Sequence, residues 1–148
     1  RTKLMKDISA NERQGDSYKL FISRKGAANG RLIANEDEVY ESVFAPAGYE
    51  QFFPCDHKFS EQIQIISGAT HLAGGHGAAM SLMVFMQPGS SVFEMHSPYY
   101  FNPCFKNLAF NCYHNYSCSG DNGHCFKRED KWNEGFSIPV EELRKYAI

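Results

Sequence analysis

The chain has 148 residues, enough for one domain with a sizeable core. Its content of 43% hydrophobic and 22% charged residues is that of a globular protein and argues against disorder. A formal net charge of −2 advertises no basic face for nucleic acid or anionic lipid, and no apolar run approaches the roughly 18 residues of a membrane span.

The chain opens at Arg1, with neither an initiator methionine nor an apolar leader. A fragment, a processed product or a trimmed chain is expected, with any targeting signal outside these residues. Leu4, Met5 and Ile8 have helical spacing. "YKLFISR" reads as a strand from Tyr18 through Ile22, and "KGAANGR" as a turn-rich loop. Asn35 suits the N-cap of a helix through "EDEVYESVFAPAG", with acids in its first turn, Pro46 near its end and Gly48 beyond it. "YEQFFP" is a second strand. Ser60 can cap "EQIQIISGA", whose Ile63 and Ile66 share a face. "THLAGG" is a short buried strand, and the turn at His76-Gly77 leads into a helix expected from Ala78 to Met86. "QPGS" is a turn and "SVFEM" a fourth strand.

Strands alternating with helices at this spacing predict an α/β fold, a Rossmann-like parallel sheet flanked by helices. Residues 1–100 are expected to form that unit. Residues 101–148 read as an irregular, cysteine- and aromatic-rich extension on the same domain, closed by a helix in "SIPVEELRKYAI" with Pro139 in its first turn.

Ligands of open parallel sheets bind outside the carboxyl ends of the strands, and three features fall there. Arg24 follows the first strand and Arg31 closes its loop; two guanidiniums suit a phosphate or carboxylate, against the alternative of solvated loop cations. "GGHGAA" turns from a strand into a helix start. Its glycines permit either positive φ or a close approach to the main chain. The N–H groups of Gly77 and Ala78 then suit an anion such as a diphosphate, with His76 in the turn as a donor to phosphate or sugar oxygen. Tight strand–helix packing is the competing explanation. Glu94 ends the fourth strand, where a carboxylate can accept from ribose hydroxyls or be a surface acid. The three together describe a site for a nucleotide carrying a diphosphate.

Of five cysteines, Cys104, Cys112, Cys118 and Cys125 crowd the C-terminal third and are disulfide candidates, leaving Cys55 odd. Asn115-Tyr116-Ser117 inside that cluster is a sequon for N-glycosylation. Both favour an oxidising lumen or the exterior. Cys112, His114, Cys118, His124 and Cys125 lack the paired knuckle of a zinc site, "SGDNGH" is too short for a calcium loop, and no metal ligand is assigned. Met80, Met83 and Met86 fit a core. The aromatics of "PYYFNP" and Trp132 either pack or stack on a sugar.

Beyond these local readings, "LFISRKGAANGRLIANEDEV" and "FSEQIQIISGATHLAGGHGAAMSLMVFMQPGSSVFEM" together resemble the domain of glycosyltransferase family 61. The correspondence runs through Ser23-Arg24, Arg31, Asn35-Glu36, Phe59-Ser60-Glu61-Gln62, His76-Gly77-Ala78, Met86-Gln87-Pro88-Gly89-Ser90 and Glu94, covering about residues 18–96. Ala79 departs from the pattern, standing where many members have a second glycine; its methyl would narrow the approach to the helix start. The resemblance implies the C-terminal, donor-binding half of a GT-B inverting enzyme using a nucleotide sugar, mostly UDP-linked, with no cofactor or metal motif. It implies that Arg24 and Arg31 neutralise the donor diphosphate, that His76 with the Gly77 and Ala78 amides holds phosphate or sugar, and that Glu94 holds the ribose. The catalytic base is expected in the N-terminal half or the cleft between the halves, so none is named here. The partners implied are the nucleotide sugar and the missing half, and the implied location is the lumen of the Golgi or endoplasmic reticulum. A non-catalytic relative serving as a structural subunit is the alternative, with an unrelated small α/β hydrolase or nucleotide-binding protein as a third reading.

Overall fold

A computed structural model of the chain describes residues 17–27, 30–120 and 127–146. The N-terminal helix expected around Leu4, Met5 and Ile8 lies outside them, as do His124 and Cys125.

Five strands form one parallel sheet in the order β2-β1-β3-β4-β6. They are β1 (Lys19–Ile22), β2 (Tyr49–Phe52), β3 (His71–Gly75), β4 (Ser91–Met95) and β6 (Asn115–Ser119). Alternation sends Leu20, Ile22, Leu72 and Val92 to one face. There they pack under α2 (Phe59–Ser67), a 3₁₀ helix (Ala78–Phe85) and α3 (Cys104–Asn111), which contribute Ile66, Met80, Met83 and Ala109. Phe21, Ala73, Phe93 and Met95 face the other way, under α1 (Glu36–Val39), the π turn that continues it (Tyr40–Phe44) and α4 (Val140–Leu143). Phe21 and Phe44 are fully buried with ring centroids 4.8 Å apart. Each such side chain contributes about 1.5–3 kcal/mol by leaving water. The α/β sheet is thus the Rossmann-like one that the alternating pattern predicts.

Local differences from the sequence reading have tertiary causes. The helix expected from Ala78 is a 3₁₀ helix; AAMSLMVF is apolar all round, so burial against the sheet and α2 outweighs any amphipathic α-helical preference. Asn35 makes no side-chain cap; it clamps Ile138 instead, donating to its carbonyl at 2.9 Å and accepting from its amide at 3.0 Å. Ser60 lies inside the first turn of α2, where the Lys58 amide donates to Glu61 at 2.8 Å. The stretch after Tyr100, where no period is legible, supplies α3 and the edge strand β6 to the main fold. A two-stranded antiparallel ribbon, β5 (Tyr100–Phe101) with β7 (Lys127–Arg128), accompanies them.

The strand order reverses direction at β1: β2 lies on one side of it and β3 on the other. The crevice beyond the carboxyl ends of β1 and β3 is therefore the switch point of the sheet, where open α/β folds bind ligands.

Candidate functional site

Arg24 leaves β1 at that switch point. Its amide donates to Glu36 Oε2 at 3.0 Å, and the Ser23 hydroxyl donates to Glu36 Oε1. Glu36, buried in the first turn of α1, thereby fixes the exit angle of the chain. The Arg24 guanidinium donates from Nη2 to the Gly30 carbonyl at 3.1 Å. Burial and the neighbouring charge of Arg31 pull its pKa below the ordinary value, with Glu36 opposing. Arg31, in the left-handed region at φ 67°, lays its guanidinium 4.6 Å from the Tyr100 ring centre and 5.5 Å from that of Trp132. The buried Nε of both arginines finds no hydrogen-bond partner among the described residues.

The glycine turn after β3 is explained by close approach. None of Gly74, Gly75 and Gly77 needs a positive φ, and Gly77 is extended at 178°. A Cβ on Gly74 would meet the Ile22 carbonyl oxygen at 3.1 Å and Met80 Sδ at 3.3 Å. On Gly75 it would meet Arg24 Cδ at 3.0 Å, and on Gly77 it would meet Arg24 Nη1 at 1.6 Å. The absent side chains make a seat for Arg24.

β3 and β4 run in register, Gly74 beside Glu94 and Gly75 beside Met95, so His76 and His96 follow side by side. Their rings stack at 5.1 Å and 30°. Glu94, wholly buried, has His76 Nδ1 at 2.5 Å from Oε1. The Tyr116 hydroxyl donates to its Oε2 at 2.6 Å, and His96 Nε2 stands 3.4 Å from both that oxygen and the hydroxyl. Burial alone would raise the Glu94 pKa. Hydrogen bonds from His76 and His96, the His96 charge and the Tyr116 hydroxyl outweigh it and bring the value down to about 2. The carboxylate is therefore ionised, and His76 Nδ1 carries the proton it shares. For Tyr116, burial and the Glu94 charge push the phenol well above its ordinary range. Tyr100 and Phe105 complete the ring contacts of His76 at 5.2 and 5.1 Å, and Phe101 lies 4.6 Å from His96.

The profile of the family "Glycosyltransferase 61" matches residues 2–93. The chain belongs to glycosyltransferase family 61. A relative from Takifugu rubripes, "Protein O-linked-mannose beta-1,4-N-acetylglucosaminyltransferase 2", is 34% identical over 98 residues, 63% of this chain and 15% of that protein. The protein of the same name from Xenopus laevis is 29% identical over 99 residues, 66% of this chain and 16% of that one. The chain thus spans about one sixth of the length of these curated relatives.

Of the residues the sequence marks, this family 61 domain brings Arg24, Arg31, His76, Gly77 and Ala78 to the switch-point end of the sheet. Glu94 lies beneath them rather than among them. Both its oxygens are engaged by protein groups, so a ribose hydroxyl could reach it only by displacing one. Glu36, Tyr100 and Tyr116 join the constellation, none of them marked in the sequence as a site residue. Glu36 carried the signals of a first-turn acid and of the Asn35-Glu36 correspondence, Tyr100 that of one of the "PYYFNP" aromatics, and Tyr116 that of a sequon's middle residue.

Among the described residues, His76, Glu94 and His96 are the group whose ligand atoms could share a metal ion, all within 4.8 Å of one another. The set fits poorly, because the carboxylate already takes the His76 and Tyr116 protons. Cys55, Cys104, Cys112 and Cys118 are free thiols. His114 is buried and donates from Nε2 to the Met83 carbonyl at 2.9 Å, and among the described residues it forms no group of potential metal ligands with Cys112 and Cys118. No helix among the described residues is long and apolar enough to cross a membrane.

Proposed function

We propose that this chain is the donor-binding half of an inverting glycosyltransferase of GT-B architecture, and that its donor is a UDP-sugar. The observation that carries this is the Arg24–Arg31 pair at the sheet's switch point. Two guanidiniums stand close enough for one to depress the other's pKa, each with a buried Nε that has no partner among the described residues. Like charges held together are unfavourable until an anion lies between them, and a diphosphate supplies oxygens for both planar forks. The Gly77 and Ala78 amides open the 3₁₀ helix beside them and add N–H dipoles. With its Nδ1–H committed to Glu94, His76 keeps Nε2 as an acceptor for a sugar hydroxyl. In this reading Glu94 positions His76 and does not touch the ribose.

Transfer with inversion breaks the bond between the sugar C1 and the diphosphate oxygen as the acceptor hydroxyl attacks from the opposite side. Negative charge grows on the departing UDP, and fixed guanidiniums and amides there lower the barrier. The base that takes the acceptor proton belongs to the remaining part of the enzyme. The lumen of the secretory pathway is the location this activity fits. The activity named for the relatives makes UDP-N-acetylglucosamine the first donor to test.

A structural, non-catalytic role is the second reading, and one observation favours it. Tyr100 lies on both Arg31 and His76, and buried Phe101 on His96, so aromatic side chains already crowd the crevice. Titration with UDP, UMP and UDP-N-acetylglucosamine separates the two. A donor site binds UDP more tightly than UMP, because only UDP offers the second phosphate. A domain that binds none of the three is structural.

A further inference from the structure

We infer that Asn115 carries an N-linked glycan that shields the open edge of the sheet. The chain contains a single Asn-x-Ser/Thr sequon, Asn115-Tyr116-Ser117. The fold places it on β6, the edge strand beyond β4, and both Asn115 and Ser117 are exposed. Residues two apart on a strand share a face, so the acceptor amide and the hydroxyl that the transferase must read point the same way.

The acceptor amide is held in place by the fold. Asn115 donates from Nδ2 to the Gly89 carbonyl at 3.1 Å, and its backbone amide donates to Ser90 at 2.9 Å. In the transfer, Nδ2 gives up one proton to a base of the oligosaccharide-transferring enzyme and bonds to C1 of a lipid-linked oligosaccharide. The C1–oxygen bond to the lipid diphosphate breaks, and the lipid diphosphate leaves with the bonding electrons.

The surroundings have room for a sugar. A cavity of about 180 Å³ opens beside the sequon, lined by Asn115, Ser117, Tyr49, His71, Ser91 and Phe93. Aromatic walls with a hydroxyl and an imidazole suit the first N-acetylglucosamine. The cavity lies at the amino ends of the strands, opposite Arg24 and His76, so a glycan there leaves the donor crevice clear. It also lies on β6, the edge strand of the described sheet, where bulk hinders edge-to-edge pairing with another chain.

The modification requires passage through the lumen, and in that respect it rests on the location proposed above. The test is therefore run where the route is imposed: the chain is secreted from a eukaryotic host behind a cleavable leader, and the Asn115 peptide is read by mass spectrometry. Most wild-type chains should carry hexose–N-acetylhexosamine mass at Asn115. Ser117→Thr should keep it, while Asn115→Gln and Ser117→Ala should lose it entirely. An unmodified Asn115 in wild type, beside a normally glycosylated secreted control, overturns the inference whether or not UDP binds.

Discussion

The Arg24 guanidinium fills the space that a side chain on Gly77 would occupy: a Cβ there would stand 1.6 Å from Arg24 Nη1. This relationship links the two most conspicuous features of the site, the arginine after β1 and the glycines after β3. The glycines are needed for approach and not for φ.

Gly77→Ala tests that link. An extended backbone accepts alanine without strain, and the clashing atom is the far end of a flexible side chain. The fold should survive with its melting temperature little changed. UDP affinity should fall about ten- to hundredfold, the loss of charge-assisted hydrogen bonds worth about 1.5–3 kcal/mol. Calorimetry on the folded variant reads this directly, and wild-type affinity would separate Arg24 from the ligand.

Acid stability is predicted to follow the ionisation of Glu94. Its pKa falls from an ordinary 4.5 to about 2 in the fold. A lowered carboxylate stabilises the native state above the ordinary value, and that contribution is lost as pH drops through the folded one. The window is therefore from about pH 4.5 down to 2, and the contribution roughly 3 kcal/mol. Glu94→Gln should be less stable at neutral pH and should lose most of the wild type's decline across that window in urea midpoints. An unchanged acid limb would show that another group titrates there.

Glu36→Gln examines the anchor of Arg24. The carboxylate accepts from both the Ser23 hydroxyl and the Arg24 amide, and a carboxamide must turn an N–H toward one of them. Stability should fall by about 1–3 kcal/mol. UDP affinity should fall with it even where the variant is fully folded, because the β1 exit is displaced. Destabilisation without any change in affinity would confine Glu36 to the core.

Much of the fold was legible because burial on both faces writes a simple pattern. "KLFI", "HLAGG" and "SVFEM" read as strands between helical stretches, and their order predicts the sheet. β6 was not legible: it is an edge strand, half exposed, and NYSCS carries no apolar run. The 3₁₀ form of Ala78–Phe85 is equally silent, since its apolar residues point every way and only the sheet beneath selects the tighter coil. At the site, Arg24, Arg31 and His76 stood out by chemical type. The seating of Arg24 against Gly77 depends on register between β1 and β3, and that of Glu94 between His76 and Tyr116 on register between β3, β4 and β6, which no local pattern encodes.

The most direct measurement is calorimetric titration of UDP into the folded chain, beside Arg24→Ala and Arg31→Ala. A donor site built on the arginine pair predicts micromolar-to-millimolar binding in wild type, weakened at least tenfold in each variant, as expected for about 1.4 kcal/mol or more per lost charged contact. Folded wild-type chain that binds no UDP, or that binds it equally well without Arg24, would contradict it.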